Sequence, residues 1–292
     1  MYFNIVGVFG CETMVRSTFR IEKEGLIIEE KYVRSILSPS RIYGVNYAVN
    51  PYMGCGHGCV YCYARFTFIS AGIDPLDWGR IVFPKINAPS LLKREVRSKK
   101  KGLVLLSSVT DPYQFIEEKY QLTRRCLEVL SRYEWPVTIL TKSDLVLRDL
   151  DMIGKSKDIE VGLTITIVND NVAEVFEPRA PRYSARVFAL RELSKKTGNT
   201  YAFYGPLIPV LCEKDIEYVL SDLADIGINS ILFDKLNIKA KNWISINKAL
   251  DQLGIDRREF WGKVRSPIFW NRIKRKVQEI SKKLGLHVDF CY

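Results

Sequence analysis

Three cysteines within one short stretch, Cys55, Cys59 and Cys62, are the residues of this chain best suited to chemistry. They stand in a C-x3-C-x2-C pattern inside Tyr52–Tyr63, interleaved with Gly54, Gly56 and Gly58. Thiolates this close converge on one metal centre only if the loop curls tightly, and glycine at alternate positions gives the backbone that freedom. Iron–sulfur clusters are usually held by four cysteines, and structural zinc by four Cys/His ligands. Three cysteines with no fourth nearby leave one iron of a [4Fe–4S] cluster open to a substrate or cofactor. The competing arrangement is a zinc site that adds His57. That residue lies inside the loop and would be strained to reach the centre shared by its neighbours.

The bulk numbers narrow the setting. At 292 residues the chain makes one large domain or two modest ones, and 47% hydrophobic content supports a substantial core. No apolar run reaches about 18 residues, so no transmembrane helix is expected. The opening Met1–Cys11 is apolar but lacks a basic leading segment and a small-residue cleavage site. It reads as a strand or a ragged extension, with Met14 as an alternative start. Of the seven cysteines, Cys11, Cys126, Cys212 and Cys291 are scattered, which excludes a disulfide framework and points to a reducing, cytoplasmic compartment. The net charge is +11, and Lys235–Tyr292 alone carries 14 Lys/Arg against 5 Asp/Glu. Such asymmetry suits an anionic partner such as nucleic acid.

The elements that must position the cysteine loop follow from hydrophobic periodicity. Thr18–Glu30 alternates charged and apolar residues, as an edge hairpin or strand does. Ser35–Asn50 is an extended lead-in whose last residues form a short apolar strand that delivers the chain to the loop. Strands are then expected at Leu103–Ser107, Val137–Thr141, Glu160–Thr166, Tyr201–Leu207 and Ser230–Phe233. Helices are expected near Pro89–Ser98, Thr123–Tyr133, Leu145–Gly154, Ser184–Lys196 and Glu213–Ile226. Continuous apolar strands separated by helices imply a parallel sheet covered by helices. Counting the strand before the cysteines gives six βα units, short of a full eight-fold barrel.

In such folds chemistry gathers at the C-terminal ends of the strands. Ser107-Ser108-Val109-Thr110-Asp111, Thr141-Lys142-Ser143, Thr164 and Thr166, and Gly205-Pro206 fall there. Ordinary turn and cap chemistry suits most of them equally well. Lys142 is different, because a lysine at a strand end among apolar neighbours is costly unless it meets an anion. Beyond Leu236, helices are expected at Trp243–Leu253 and Phe269–Leu284. Trp243, Phe260, Trp261, Phe269 and Trp270 alternate there with Arg272, Lys274, Arg275 and Lys276. Two readings, not exclusive, are a helical cap with its aromatics inward and a grip on a nucleic-acid strand.

The cysteine loop resembles that of the radical S-adenosylmethionine (SAM) enzymes, with Tyr61 in the aromatic position before the last cysteine. Residues from about Lys31 to Phe233 resemble the branch that includes spore photoproduct lyase. The likeness is carried by Asn50-Pro51-Tyr52, Cys62-Tyr63-Ala64-Arg65, Val109-Thr110-Asp111-Pro112-Tyr113-Gln114, Leu122–Leu130, Thr141-Lys142-Ser143 and Glu177-Pro178-Arg179-Ala180-Pro181. The resemblance implies a partial (β/α)6 TIM-type barrel over residues 46–234. An N-terminal lead-in over 1–45 precedes it and a basic α-helical extension over 235–292 follows.

It also implies roles. Cys55, Cys59 and Cys62 hold a [4Fe–4S] cluster, and SAM chelates the open iron. Tyr61 and Tyr63 lie beside the adenine, Ser108, Thr110 and Asp111 near the methionyl amino group, and Lys142 at the carboxylate. Thr164 or Thr166 faces the ribose, and Arg186 supports the site. An electron from a donor such as ferredoxin or flavodoxin cleaves SAM to a 5′-deoxyadenosyl radical, which abstracts hydrogen from a nucleic acid or, alternatively, a small molecule or peptide. One departure is plain. Spore photoproduct lyase carries a hydrogen-donating cysteine at the end of the strand matching Leu103–Ser107, whereas Ser107–Thr110 holds no thiol. This chain is therefore read as a relative with another substrate, or one needing no thiol donor.

Overall fold

The computed structural model describes residues 16–23, 25–228 and 230–292; the apolar opening Met1–Cys11 and Met14 lie outside them. Strands β1 (Arg16–Lys23) and β2 (Leu26–Tyr32) form the antiparallel hairpin expected over Thr18–Glu30. The extended lead-in becomes β3 (Leu37–Pro39) and β4 (Tyr47–Val49), which pair antiparallel. Two short strands flank the cysteines: β5 (Tyr52–Met53) just before them and β6 (Ile81–Pro84) after them. They join the hairpin in a four-stranded sheet of order β1-β2-β6-β5.

The larger sheet continues with β7 (Val104–Leu106), β8 (Val137–Thr141), β9 (Ile159–Ile165), β10 (Thr200–Leu207), β11 (Ser230–Lys235) and β12 (His287–Phe290). Its order is β12-β11-β10-β9-β8-β7-β4-β3. From β4 through β11 every neighbouring pair is parallel, so the six βα units expected from the pattern are present in order. The last strand, β12, adds to β11 in parallel and brings the chain's end back to the sheet. Its alternating exposure gave it no apolar run to read.

Helices connect and flank the strands. They are α1 (Phe66–Ser70), α2 (Ala88–Ser98), α3 (Glu117–Tyr120), α4 (Leu122–Arg132), α5 (Leu150–Ile153), α6 (Asp170–Phe176), α7 (Tyr183–Lys196), α8 (Cys212–Asp225), α9 (Asn242–Gln252), α10 (Arg257–Arg265) and α11 (Pro267–Leu284). The expected helix over Leu145–Gly154 is mostly a 3-10 turn, Asp144–Asp149, that becomes α-helical only from Leu150. Asp149 is turned fully inward there, accepting from Tyr113, Arg124 and Arg148. Local capping explains the long α11: Ser266 Oγ accepts from the Phe269 amide at 3.1 Å, Pro267 opens the helix, and Gly285 ends it at φ 69°.

The pleat sorts the strands' residues between two faces. Val137 and Ile139, Val161, Leu163 and Ile165, Ala202 and Tyr204, and Ile231 and Phe233 point outward into one core shared with α4, α7, α8 and α11. Burying each such aliphatic side chain contributes about 1.5–3 kcal/mol. The opposite, concave face carries half-buried Leu105, Leu140, Phe203 and Leu232 together with Lys142 and Asp234. This face opens at the C-terminal ends of the strands, where the cysteine loop lies.

Candidate active site

The cysteine loop leaves β5 at Gly54, whose φ of 79° and 2.4 Å Cβ approach to the Ile81 carbonyl admit only glycine. Gly58 also needs the left-handed region, at φ 67°. Gly56 does not; it is there for space, because a Cβ would stand 2.5 Å from the Phe115 ring. The expectation of backbone freedom thus holds at two of the three glycines, and close packing explains the third. Cys55 and Cys59 are buried and Cys62 half-buried, all with free thiols.

Buried peptide groups in such a loop must find partners, and four segments supply them. The stretch after β7 provides one side: Gln114 Oε1 accepts from the Gly56 amide at 2.7 Å, and Thr110 Oγ1 donates to the Gly54 carbonyl at 2.5 Å. Arg179 Nε donates to the Gly56 carbonyl at 2.7 Å and its other end to Gly79. Buried Arg65 reaches back to the Val60 carbonyl at 3.0 Å and the Cys59 carbonyl at 3.4 Å. From α9, Asn242 Nδ2 donates to the Tyr61 carbonyl at 2.8 Å.

Several of the expected SAM contacts have structural work of their own. The Asn50 carboxamide accepts from the amides of Ser108 at 2.9 Å and Val109 at 3.1 Å, and donates to Ser108 Oγ at 3.3 Å. Asp111 ties two strand ends together, accepting from Thr141 Oγ1 at 2.6 Å and from the Lys142 amide at 2.8 Å. It also lies 3.5 Å from His57 Nδ1, while burial lowers the imidazole's pKa and keeps it neutral. Tyr63 donates to the Ser108 carbonyl at 2.9 Å. Thr166, just past β9, donates to the Gly205 carbonyl at 2.9 Å, so its hydroxyl is already taken, unlike that of Thr164.

Beneath the loop, Tyr61 donates to the carboxylate of Glu177. The other Glu177 oxygen meets Arg186 at 2.5 Å, and Arg186 also donates to the carbonyls of Pro181 at 2.8 Å and Thr164 at 3.2 Å. Arg186 and Glu177 are 1% and 0% exposed, so Arg186 supports the site from within rather than facing it. Burial alone would raise the Glu177 carboxyl, but the cations Arg186 and Lys142 outweigh it and hold it below its ordinary value. Burial, with Cys59 and Glu177 adding to it, raises the Tyr61 phenol. The Lys142 ammonium stands 5.8 Å above the Tyr61 ring centre, and among the described residues no carboxylate oxygen comes within 4.0 Å of it. The cation at the strand end thus waits for an anion beside the thiols.

The other cysteines among the described residues lie elsewhere. Cys126 and Cys212 are buried in the outer core, and Cys291 is half-buried at the end of β12. The basic tail divides. Phe260, Phe269 and Trp270 are buried, as an inward-facing cap requires, and α11 packs on the outer core rather than at the strand ends. Arg272 and Lys263 meet the Glu213 carboxylate at 3.0 and 2.8 Å, and Lys276 donates to the Glu213 carbonyl at 2.8 Å. Reading the sequence missed the clamps Gln114, Arg65, Arg179 and Asn242. All but Asn242 lie inside motifs that carried the family likeness.

The two metal readings make different demands on the donor set. A tetrahedral zinc with bonds of about 2.3 Å draws its sulfurs to within about 3.8 Å of one another. Among the described residues no three His, Cys, Asp or Glu groups converge to hold a single ion. Burial raises all three thiols, Cys59 to about 12, so a strongly electropositive centre is what would hold them as thiolates. The buried Ser107 hydroxyl at the end of β7, at φ 72°, has no hydrogen-bond partner among the described residues. Together with Lys142, whose charge acts on Cys59 and Cys62, it leaves polar capacity open at the strand ends, so the residues present fit a cluster with a bound cofactor.

A thiol loop over the C-terminal mouth of a six-stranded half-barrel defines a cluster-dependent radical enzyme. The chain belongs to the radical SAM superfamily, whose signature matches residues 49–223, and its cofactors are a [4Fe–4S] cluster and SAM. An uncharacterized protein of Methanocaldococcus jannaschii is 39% identical over 204 residues, 70% of this chain and 75% of its own. Among solved structures, a spore photoproduct lyase variant aligns over 90% of this chain and 82% of its own, with TM-score 0.70 and 16% identity. Another variant, with bound AdoMet and dinucleoside spore photoproduct, aligns over 88% and 78% with TM-score 0.67 and 13% identity. The fold is therefore that of spore photoproduct lyase. No helix among the described residues is long and apolar enough to cross a membrane.

Proposed function

We propose that Cys55, Cys59 and Cys62 hold the cluster and that Lys142 meets the methionyl carboxylate of SAM. The observation that carries this is the unpaired Lys142 ammonium beside three thiols on one clasped loop. When bound, the cluster and SAM supply reductive cleavage of the S–C5′ bond, giving methionine and a 5′-deoxyadenosyl radical that takes hydrogen from a substrate carbon.

The chain's own part is positioning and exclusion of water. Tyr61, fixed from below by Glu177 and Arg186, and Tyr63 flank the adenine. The backbone of Ser108–Asp111 approaches the methionyl amino group, since the side chains of Ser108, Thr110 and Asp111 are committed to the loop's seat. Thr164 rather than Thr166 faces the ribose, because the Thr166 hydroxyl is bonded to Gly205.

The substrate in this reading is a nucleic acid, undergoing lyase or modification chemistry. The net charge of +11 supports it, as does the fold shared with a lyase that binds a dinucleoside. The thiol-free Ser107–Thr110 sets the reaction apart from one that needs a cysteine donor at that strand end. The test is 5′-deoxyadenosine formation from SAM and dithionite by the cluster-loaded protein, with and without nucleic acid. Faster turnover with nucleic acid is expected; turnover indifferent to every nucleic acid offered would remove the substrate half of the reading.

A further inference from the structure

The residues that would guide a nucleic-acid strand to the mouth are not those of the most basic helix. Arg272 and Lys276 of α11 are engaged with Glu213, and α11 lies on the outer face. At the mouth itself stands the connection from β11 to α9. Between Asp234 and Asp251 the chain carries Lys235, Lys239, Lys241 and Lys248 and no acidic residue. Lys241 is exposed and holds φ 60°, a left-handed conformation that a lysine adopts only when its neighbours enforce it. Two residues on, Trp243 is 48% exposed, alone among the tail's seven Phe, Trp and Tyr residues in reaching that degree of exposure.

This connection is fastened to the cysteine loop. Asn242, between Lys241 and Trp243, is fully buried and holds the Tyr61 carbonyl at 2.8 Å and the Asn237 carbonyl at 2.9 Å. Ser245, one turn further along α9, accepts from Arg65 at 3.0 Å. An indole and an ammonium are therefore presented to solvent on a segment whose buried residue grips the loop beneath the proposed cofactor. Single strands are held by this combination, bases stacking on an exposed aromatic while cations follow the phosphates.

We propose that Trp243 and Lys241 form the docking platform for a single-stranded nucleic acid, Trp243 stacking on a base and Lys241 pairing with the backbone. The inference rests on the nucleic-acid reading above and places its contact at the β11–α9 connection. It is tested with the full, cluster-loaded chain and a fluorescein-labelled oligothymidylate of about a dozen nucleotides, within the usual span of such sites. Trp243→Ala should weaken binding at least about fivefold, and Lys241→Gln should reduce the slope of log K against log salt by about 0.7. Both variants should form 5′-deoxyadenosine at the wild-type rate without nucleic acid, which separates a lost platform from a misfolded protein. Wild-type binding by both variants would overturn the inference, as would binding lost only when Arg275, Lys282 and Lys283 of α11 are neutralised. If the wild-type chain cleaves SAM but binds no oligonucleotide, the platform and the substrate class fall together while the radical chemistry stands.

Discussion

Tyr61 donates its phenolic hydrogen bond to Glu177, a residue 116 positions further along the chain and wholly buried. Glu177 is in turn paired with buried Arg186, so the aromatic residue of the cysteine loop stands on an ion pair rather than on apolar packing alone. Removing one partner of such a pair leaves an uncompensated buried charge. Arg186→Leu should destabilise the protein by about 3–5 kcal/mol, read by chemical denaturation of the cluster-free chain. A loss below about 1 kcal/mol would mean that Glu177 is not charged there.

Lys142 carries a different prediction, because no carboxylate oxygen among the described residues lies within 4.0 Å of its ammonium. Lys142→Met should leave iron content and thermal stability unchanged while weakening SAM binding about tenfold to hundredfold, the worth of a charge-assisted hydrogen bond. Calorimetric titration with SAM would check it. Unaltered affinity would move the methionyl carboxylate elsewhere.

Asn242 joins the C-terminal region to the loop, with three hydrogen bonds from one buried carboxamide. Asn242→Ala leaves the Tyr61 carbonyl unsatisfied, at a cost of about 1–3 kcal/mol. Iron should be lost faster to a chelator from this variant than from wild type. Equal rates would show that the loop keeps its shape without the clamp.

Asp234, on the concave face, has only its neighbour's amide as a hydrogen-bond partner among the described residues, at 2.9 Å, and burial raises its pKa to about 6. The folded state thus holds this proton more tightly than the unfolded chain, whose aspartates titrate near 3.9. Stability should fall as pH rises from about 4 to about 6 and then level off. Asp234→Asn should stabilise the cluster-free chain by up to about 3 kcal/mol at pH about 7.5 and hardly at all at pH about 4. The same effect at both pH values would contradict the assignment.

The architecture was legible because its signal is local. Runs such as Val137–Thr141 and Glu160–Thr166 carry one unbroken apolar face, and each reappears as a strand within a residue or so. What was not legible depends on distant partners. Strands β5 and β6 are two and four residues long and exist by pairing with each other. The hydrogen bonds that tie Ser108, Thr110 and Asp111 to Asn50, Gly54 and Thr141 could not be read from spacing. The ion pairs of the basic helix were hidden for the same reason, since nothing near Arg272 in sequence announces Glu213, 59 residues earlier.

The central claim is that three thiols and one lysine hold a cluster and its cofactor. The most direct measurement is iron and sulfide content of anaerobically prepared protein, followed by 5′-deoxyadenosine released from SAM under dithionite, in wild type and Cys59→Ala. The account predicts about four irons per chain and product that disappears in the variant. Stoichiometric zinc without iron, or product formation that survives Cys59→Ala, would contradict it.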